Sequence, residues 1–267
     1  YTNVYHDKYF YSSLTHSVAV ALIVWNFSHD KKQTLAGLFH DIATPTFKHC
    51  IDFMNGDSEH QESTEEKTEE IIENSAEIQK ILKKYNAKAT FFVTGCHQEY
   101  NQYIIEAYKQ GHTIGLHSYL HEYQDIYSSK DAYFKDLKKI KQMVKQLIGI
   151  QVHYIRFPGG SSNRISKNYC HGIMSQLTRE VIKQGYQYYD WNGDTTDASG
   201  NHIPTATIIK QATSETHQNI VLLAHDTDAK DTTVAALPSI IQYYKEKGYQ
   251  FLGIDDESYY VHHDIQN

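Results

Sequence analysis

From Lys88 onward the chain alternates short apolar runs with amphipathic ones, and this alternation restricts the fold more than any other feature. Residues 89–95, 113–116, 154–157, 187–191, 220–224 and 249–254 read as strands. Residues 103–110, 130–148, 174–184, 205–216 and 234–247 read as helices, with Gly111 and Gly185 closing two of them. Repeated β–α units predict parallel strands with helices outside, as an open sheet or a barrel. No sequence repeat accompanies the pattern.

The strand ends carry the chemistry. Residues 113–116 run into His117-Ser118-Tyr119-Leu120-His121. Histidines at this spacing share one face of a helical turn, which predicts such a turn with both imidazoles reaching one metal ion. Imidazole suits zinc and its neighbours in the transition series. In a chain with 17 histidines, two solvated side chains are the plain alternative. Three further strands end in Arg156-Phe157-Pro158-Gly159-Gly160, Asp190-Trp191-Asn192 and Leu222-Leu223-Ala224-His225. Taken singly, these could be a surface arginine with a turn, a loop cap beside a core tryptophan, and a core histidine.

Taken in order, and together with Thr90-Phe91-Phe92-Val93-Thr94-Gly95, these segments resemble the motifs of NodB-type polysaccharide deacetylases over roughly residues 75–260. The resemblance implies a (β/α) barrel and hydrolysis of N-acetyl groups on an N-acetylglucosamine-type polysaccharide such as peptidoglycan. By the same resemblance, His117 and His121 hold a divalent metal, zinc being the expected ion, which polarises the amide carbonyl and acidifies water. The Gly159 N–H donates to the oxyanion. Arg156 orients the catalytic base, His225 protonates the leaving amine, and Asp190 pairs with His225. Leu223 lines the acetyl-methyl pocket beside Trp191. The family opens with a strand ending in an aspartate pair, one a metal ligand and one the base. No Asp-Asp precedes the helix at 71–85, so the barrel is expected to be truncated. Asp255-Asp256, after the final strand, could lean towards the metal in a closed barrel, or could be an acidic surface turn.

The front of the chain has another character. Residues 9–27 are helical in period, through Leu14, Val18, Ala21, Leu22 and Trp25, and a second helix from Gln33 to Ala43 stops before Pro45. Leu38-Phe39-His40-Asp41-Ile42-Ala43, with Ile51-Asp52-Phe53-Met54-Asn55-Gly56-Asp57, resembles HD-domain phosphohydrolases. His16, His40 and Asp41 match the first three metal ligands of that family, and the closing ligand is missing. The expected organisation is a small α-helical HD-type fragment at 1–74 and a polysaccharide deacetylase barrel lacking its first strand at 75–267. No Gly/Pro/Ser-rich linker separates them; the junction lies in a helix, residues 71–85, whose charge runs acidic then basic. Two other functions stay open: an HD-type phosphohydrolase, and a sugar- or metal-binding remnant of a gene fusion.

A formal net charge of −7 argues against nucleic acid as a partner; the deacetylase resemblance implies a polysaccharide substrate. No apolar run approaches the roughly 18 residues of a membrane span, and no signal peptide is expected at the start. The two halves point to different compartments, the cell wall or the cytoplasm. Cys50, Cys96 and Cys170 form no disulfide framework or metal motif and are expected as small buried residues.

Overall fold

Strand β2 (Thr113–Ser118) is held between two parallel neighbours, β1 (Thr90–Thr94) and β3 (Tyr154–Ile155). A fourth strand, β4 (Gln187–Tyr188), pairs with β3, giving the order β1-β2-β3-β4. A separate parallel pair joins β5 (Gly193–Asp194) to β6 (Leu222–Leu223). The computed structural model describes residues 63–95 and 100–267. The chain divides into two units, Tyr1–Glu69 and Glu70–Asn267, and the strands among the described residues belong to the second. His16, His40 and Asp41 lie outside the described residues, as do Cys50 and Cys96; Cys170 is a half-buried free thiol.

Parallel strands need crossovers, and helices supply them. Helix α1 (Ser63–Lys84) precedes β1, and α2 (Asn101–Lys109) connects β1 to β2. The short α3 (Tyr123–Ile126) and the long α4 (Lys130–Ile148) connect β2 to β3, and α5 (Ile173–Lys183) connects β3 to β4. Helix α6 (Thr205–Ala212) joins β5 to β6, and α7 (Asp231–Glu246) follows. No helix among the described residues is long and apolar enough to cross a membrane.

Helix α4 shows why these residues form these elements. The Ser129 hydroxyl accepts from the Ala132 N–H at its start, and Gly149 ends it at φ +79°. Tyr133, Leu137, Ile140 and Val144 recur at helical spacing and are all buried. They pack on Leu116, Ile155, Phe157, Met174 and Leu177, each fully buried. The later part of α1 forms a second cluster, in which Ile78, Ile81 and Leu82 meet Val234 and Ile241 of α7. The amino end of α5 begins at Gly172, which has no side chain to cap it. Asn267 caps it instead: its Oδ1 accepts from the Gly172 N–H at 2.7 Å, and its backbone oxygen from the Ser175 N–H at 2.9 Å.

Two expectations are corrected. Residues 249–254 form no strand. They are fastened to the starts of β1 and β2 by side chains: the Thr113 hydroxyl donates to Ile254 O at 2.8 Å, and the Ile254 N–H donates to Thr90 Oγ1 at 2.8 Å. These hydroxyl bonds stand where ladder bonds would be, and the backbone can approach because residue 253 is glycine; a Cβ there would lie 2.4 Å from Thr113 Oγ1. The second correction concerns strand 187–191, which stops at Tyr188 because the Asp190 N–H donates to Val261 O at 2.8 Å. The chain then pairs with Val221 and continues as β5.

Leu116→Ala deletes a fully buried side chain of the central strand. A loss of about 2–5 kcal/mol is expected, read as a lower denaturant midpoint with little change in slope.

Candidate active site

Parallel strands end on one edge of a sheet, so residues just after neighbouring strands become neighbours. His117, near the end of β2, donates from Nδ1 to Arg156 O, just past β3, at 2.7 Å. A carbonyl only accepts, so the proton sits on Nδ1 and the Nε2 lone pair is left as an acceptor. His121 Nε2 lies 3.2 Å from His117 Nε2. Burial, then the neighbouring His121, pulls the His117 pKa down to about 3, and burial lowers that of His121 as well. At neutral pH His117 is therefore an uncharged donor.

The pair does not sit on a helical turn. His117 belongs to strand β2, and His121 follows it in a loop at φ +58°. The left-handed residue folds the chain back so that the rings face one another, which a strand alone would not do. Asp136 of α4, 7% exposed, holds this loop: its carboxylate accepts from the Tyr119 N–H at 2.7 Å and the Leu120 N–H at 3.1 Å. The Gly95 N–H donates to Ser118 O and Tyr119 O from the other side. Any Cβ on residue 95 would lie 2.3 Å from the Tyr119 ring.

His225, just past β6, is the third imidazole of the site, and its charge is felt at both His117 and His121. Its partner is Asp197, not Asp190 as the sequence suggested. Asp197 Oδ1 lies 2.8 Å from His225 Nδ1, and Oδ2 accepts from the His225 N–H at 2.8 Å and from the Thr233 hydroxyl at 3.1 Å. Burial pushes the Asp197 carboxyl up, but the bonds from His225 outweigh it and hold its pKa below the usual carboxylate range. Register explains the exchange of partners. Asp194 of β5 lies opposite Leu223 of β6, so the residues after β5 meet those after β6. Asp190 instead follows β4 and meets the loop after β3, where it is fully buried and accepts from the Ser161 N–H and hydroxyl and from the His263 N–H.

Arg156 reaches back across β4, donating from Nε to Tyr189 O at 3.1 Å and from Nη2 to Asp190 O at 3.3 Å. Its guanidinium lies 4.4 Å over the Phe92 ring and 5.9 Å from that of Trp191. Burial lowers its pKa to about 10, so it stays charged at neutral pH. The loop beyond turns at Gly159 and Gly160, with φ of +75° and +77°. Pro158 O accepts from Tyr127 OH and Asn163 Nδ2, each at 2.8 Å, which fixes the Pro158–Gly159 peptide. A Cβ on residue 159 would lie 2.6 Å from Tyr123 OH. Leu223 is buried in β6, and the half-buried Trp191 has its ring edge-on to His263 at 4.7 Å.

Asp255-Asp256 are far from this edge in the topology. Asp256 accepts from His153 Nε2 at 2.9 Å and Tyr154 OH at 2.7 Å, at the start of β3 and so at the opposite, amino-terminal edge. They do not complete the histidine pair.

The polysaccharide deacetylase family model matches residues 70–173. The catalytic domain of a peptidoglycan N-acetylglucosamine deacetylase from Eubacterium rectale is 42% identical, with a TM-score of 0.68 over 71% of this chain and 86% of that one. The chain belongs to the polysaccharide deacetylase family. A second solved polysaccharide deacetylase, from Bacillus cereus, is 30% identical with a TM-score of 0.61, over 70% of this chain and 89% of that one. Among curated proteins, a peptidoglycan-N-acetylglucosamine deacetylase of Bacillus cereus is 30% identical over 192 residues, or 70% of this chain. This deacetylase-family chain spans 66% of that relative and 63% of one from Bacillus subtilis.

Deacetylases of this family use a divalent metal in general, and the histidine pair fits part of such a site. Two nitrogen ligands at 2.0–2.1 Å from one tetrahedral ion lie about 3.3 Å apart, and the two Nε2 atoms are 3.2 Å apart. The carbonyl behind His117 is the kind of partner that orients a metal-ligating imidazole. Among the described residues no third His, Cys, Asp or Glu joins the pair. The protein thus presents two ligands with locked geometry.

Sequence reasoning missed Asp136 and Asp197. Asp197 carried a usable signal, being the last of three aspartates in a turn-rich stretch, Asp190-Trp191-Asn192-Gly193-Asp194-Thr195-Thr196-Asp197. Asp136 carried none, as a polar residue on an amphipathic helix.

Asp136→Ala should weaken zinc binding about 10–100-fold by releasing the His117–His121 loop, measured by calorimetry beside His117→Ala. Asp197, with its lowered carboxyl pKa, adds stability above the unfolded-state pKa and loses it as pH falls through the folded one. The gap in urea midpoint between wild type and Asp197→Asn should therefore be widest near neutral pH and close below about pH 4.

Proposed function

We propose that this chain hydrolyses N-acetyl groups on an N-acetylglucosamine-type polysaccharide such as peptidoglycan, with zinc as the metal. The observation that carries the reading is the gathering of three imidazoles at strand ends: two at the end of β2 with facing Nε2 atoms, and a third after β6, backed by a buried carboxylate, whose charge is felt at both. The relatives from Eubacterium rectale and Bacillus cereus, both peptidoglycan N-acetylglucosamine deacetylases, support the choice of polymer.

His117 and His121 would hold the ion, which when bound polarises a carbonyl and lowers the pKa of water. The protein's own groups do the rest. Nδ1 of His225 faces Asp197, which holds the ring in one tautomer and orientation. His225 then gives a proton to the departing nitrogen as the C–N bond breaks. The Gly159 N–H, aimed by the fixed Pro158 carbonyl, donates to the oxyanion of the tetrahedral intermediate. Leu223 and Trp191 give the acetyl methyl an apolar wall. Asp190 acts at one remove, keeping the Gly159–Ser161 turn in place.

The test is acetate release from N-acetylglucosamine oligomers by the zinc-supplied full chain. His225→Ala should lower the rate roughly 10²–10⁴-fold while leaving zinc binding intact, whereas His117→Ala should lose both. Tight zinc binding with no acetate from any oligomer would refute the reading.

A further inference from the structure

The mechanism above needs a group to take a proton from the attacking water, and one charged residue of the site has an unused side. The Arg156 guanidinium lies 4.4 Å from the Phe92 ring and 5.9 Å from the Trp191 ring, and burial lowers its pKa. Its two hydrogen bonds go to the backbone carbonyls of Tyr189 and Asp190, both neutral acceptors. The Asp190 carboxylate is turned away, occupied by Ser161 and His263. Among the described residues Arg156 makes no ion pair, and its Nη1 has no hydrogen-bond partner. A part-buried cation satisfied by carbonyls alone is an incomplete arrangement, because a guanidinium fork matches a carboxylate in both charge and shape.

We propose that Arg156 anchors a small carboxylate from solution, formate or acetate, beside His117, and that this ion takes the proton from the attacking water. The second half rests on the deacetylase reading; the first does not.

Three observations choose the ligand. Arg156 is one positive charge with the buried Asp190 carboxylate close behind it, so a monoanion suits the site better than a phosphate dianion. The Phe92 and Trp191 rings near the guanidinium favour a small planar ion. The site also adjoins the histidine pair, since Arg156 O accepts from His117 Nδ1 and the guanidinium charge is felt at that ring.

The chemistry balances without another reagent. The bound carboxylate takes a proton from water as the water oxygen bonds to the amide carbon. The C–N bond breaks, and His225 gives its proton to the nitrogen. The carboxylic acid returns its proton to solvent, which reprotonates His225. The net change is amide plus water to acetate plus amine. Acetate is both product and candidate acceptor, so the reaction should speed up as acetate accumulates from a low start.

The chain contains three arginines, Arg156, Arg164 and Arg179, so a proton–nitrogen NMR spectrum shows three arginine Nε–H signals at most. Arg164→Lys and Arg179→Lys, both at exposed positions, assign the Arg156 signal by elimination. The metal-free full chain is titrated with sodium formate, and with sodium chloride at equal ionic strength. The zinc-supplied chain is assayed in parallel for amine release from N-acetylglucosamine oligomers. The expected result is a saturable shift of the Arg156 signal with formate alone, and amine release that rises tenfold or more over the same range, part of the roughly 10²–10⁴-fold that a general base supplies. Shifts that do not saturate, or that chloride reproduces, overturn the anchor. Amine release that formate does not raise overturns the acceptor role and leaves the deacetylase reading standing. A saturable Arg156 shift with no amine release under any condition upholds the anchor and fails the deacetylase reading.

Discussion

The site depends on one constraint, the parallel pairing of β2 with a neighbour on each side. Parallel pairing sends every strand end to the same edge, and register then decides which end residues meet. His117 meets Arg156 across the β2–β3 boundary, and Arg156 meets Asp190 across β3–β4. Asp197 meets His225 because β5 and β6 are paired two residues deep. Ladders this short hold little by themselves. The edge is kept in shape by side chains that reach between loops.

Three buried aspartates do most of that reaching, each through backbone N–H groups. Asp136 grips Tyr119 and Leu120, Asp190 grips Ser161 and His263, and Asp197 grips His225. A buried carboxylate is costly unless its lone pairs are filled, and backbone donors fill them without the entropy of ordering a second long side chain. Each carboxylate sits one step from a residue of the candidate site. Orientation of the imidazoles and of the Gly159 turn is thus set by anionic clasps that need not touch any substrate.

How much of this was legible in the sequence varies with the physics of each element. Helix α4 was read to its observed ends because an amphipathic period is a local signal, and Ser129 and Gly149 cap it there. Strand β5 was invisible, since Gly193-Asp194 has no apolar alternation and exists through its partner. Residues 249–254 looked like a strand by composition, but threonine hydroxyls took the place of the ladder. The His117–His121 spacing identified the two residues and misled about their geometry: the same separation that stacks side chains on a helix can be met by a strand and a left-handed turn. Asp190 was named because Asp190-Trp191-Asn192 resembles a family motif, whereas the partner observed, Asp197, follows from the β5–β6 register, a long-range property.

The cap that Asn267 places on α5 has a consequence in time. The Gly172 N–H waits for an acceptor 95 residues further along the chain. At a synthesis rate of about 5–20 residues per second, that separation corresponds to roughly 5–20 s on the ribosome. During that interval the first turn of α5 lacks its partner, and the Ser161 loop lacks the His263 segment that shares Asp190 with it. The α/β unit therefore cannot finish assembling strand by strand as it emerges. The contacts of the 261–267 segment come only after it has been made, and a nascent chain halted short of it would carry the histidine pair on a sheet whose far loops lack those partners.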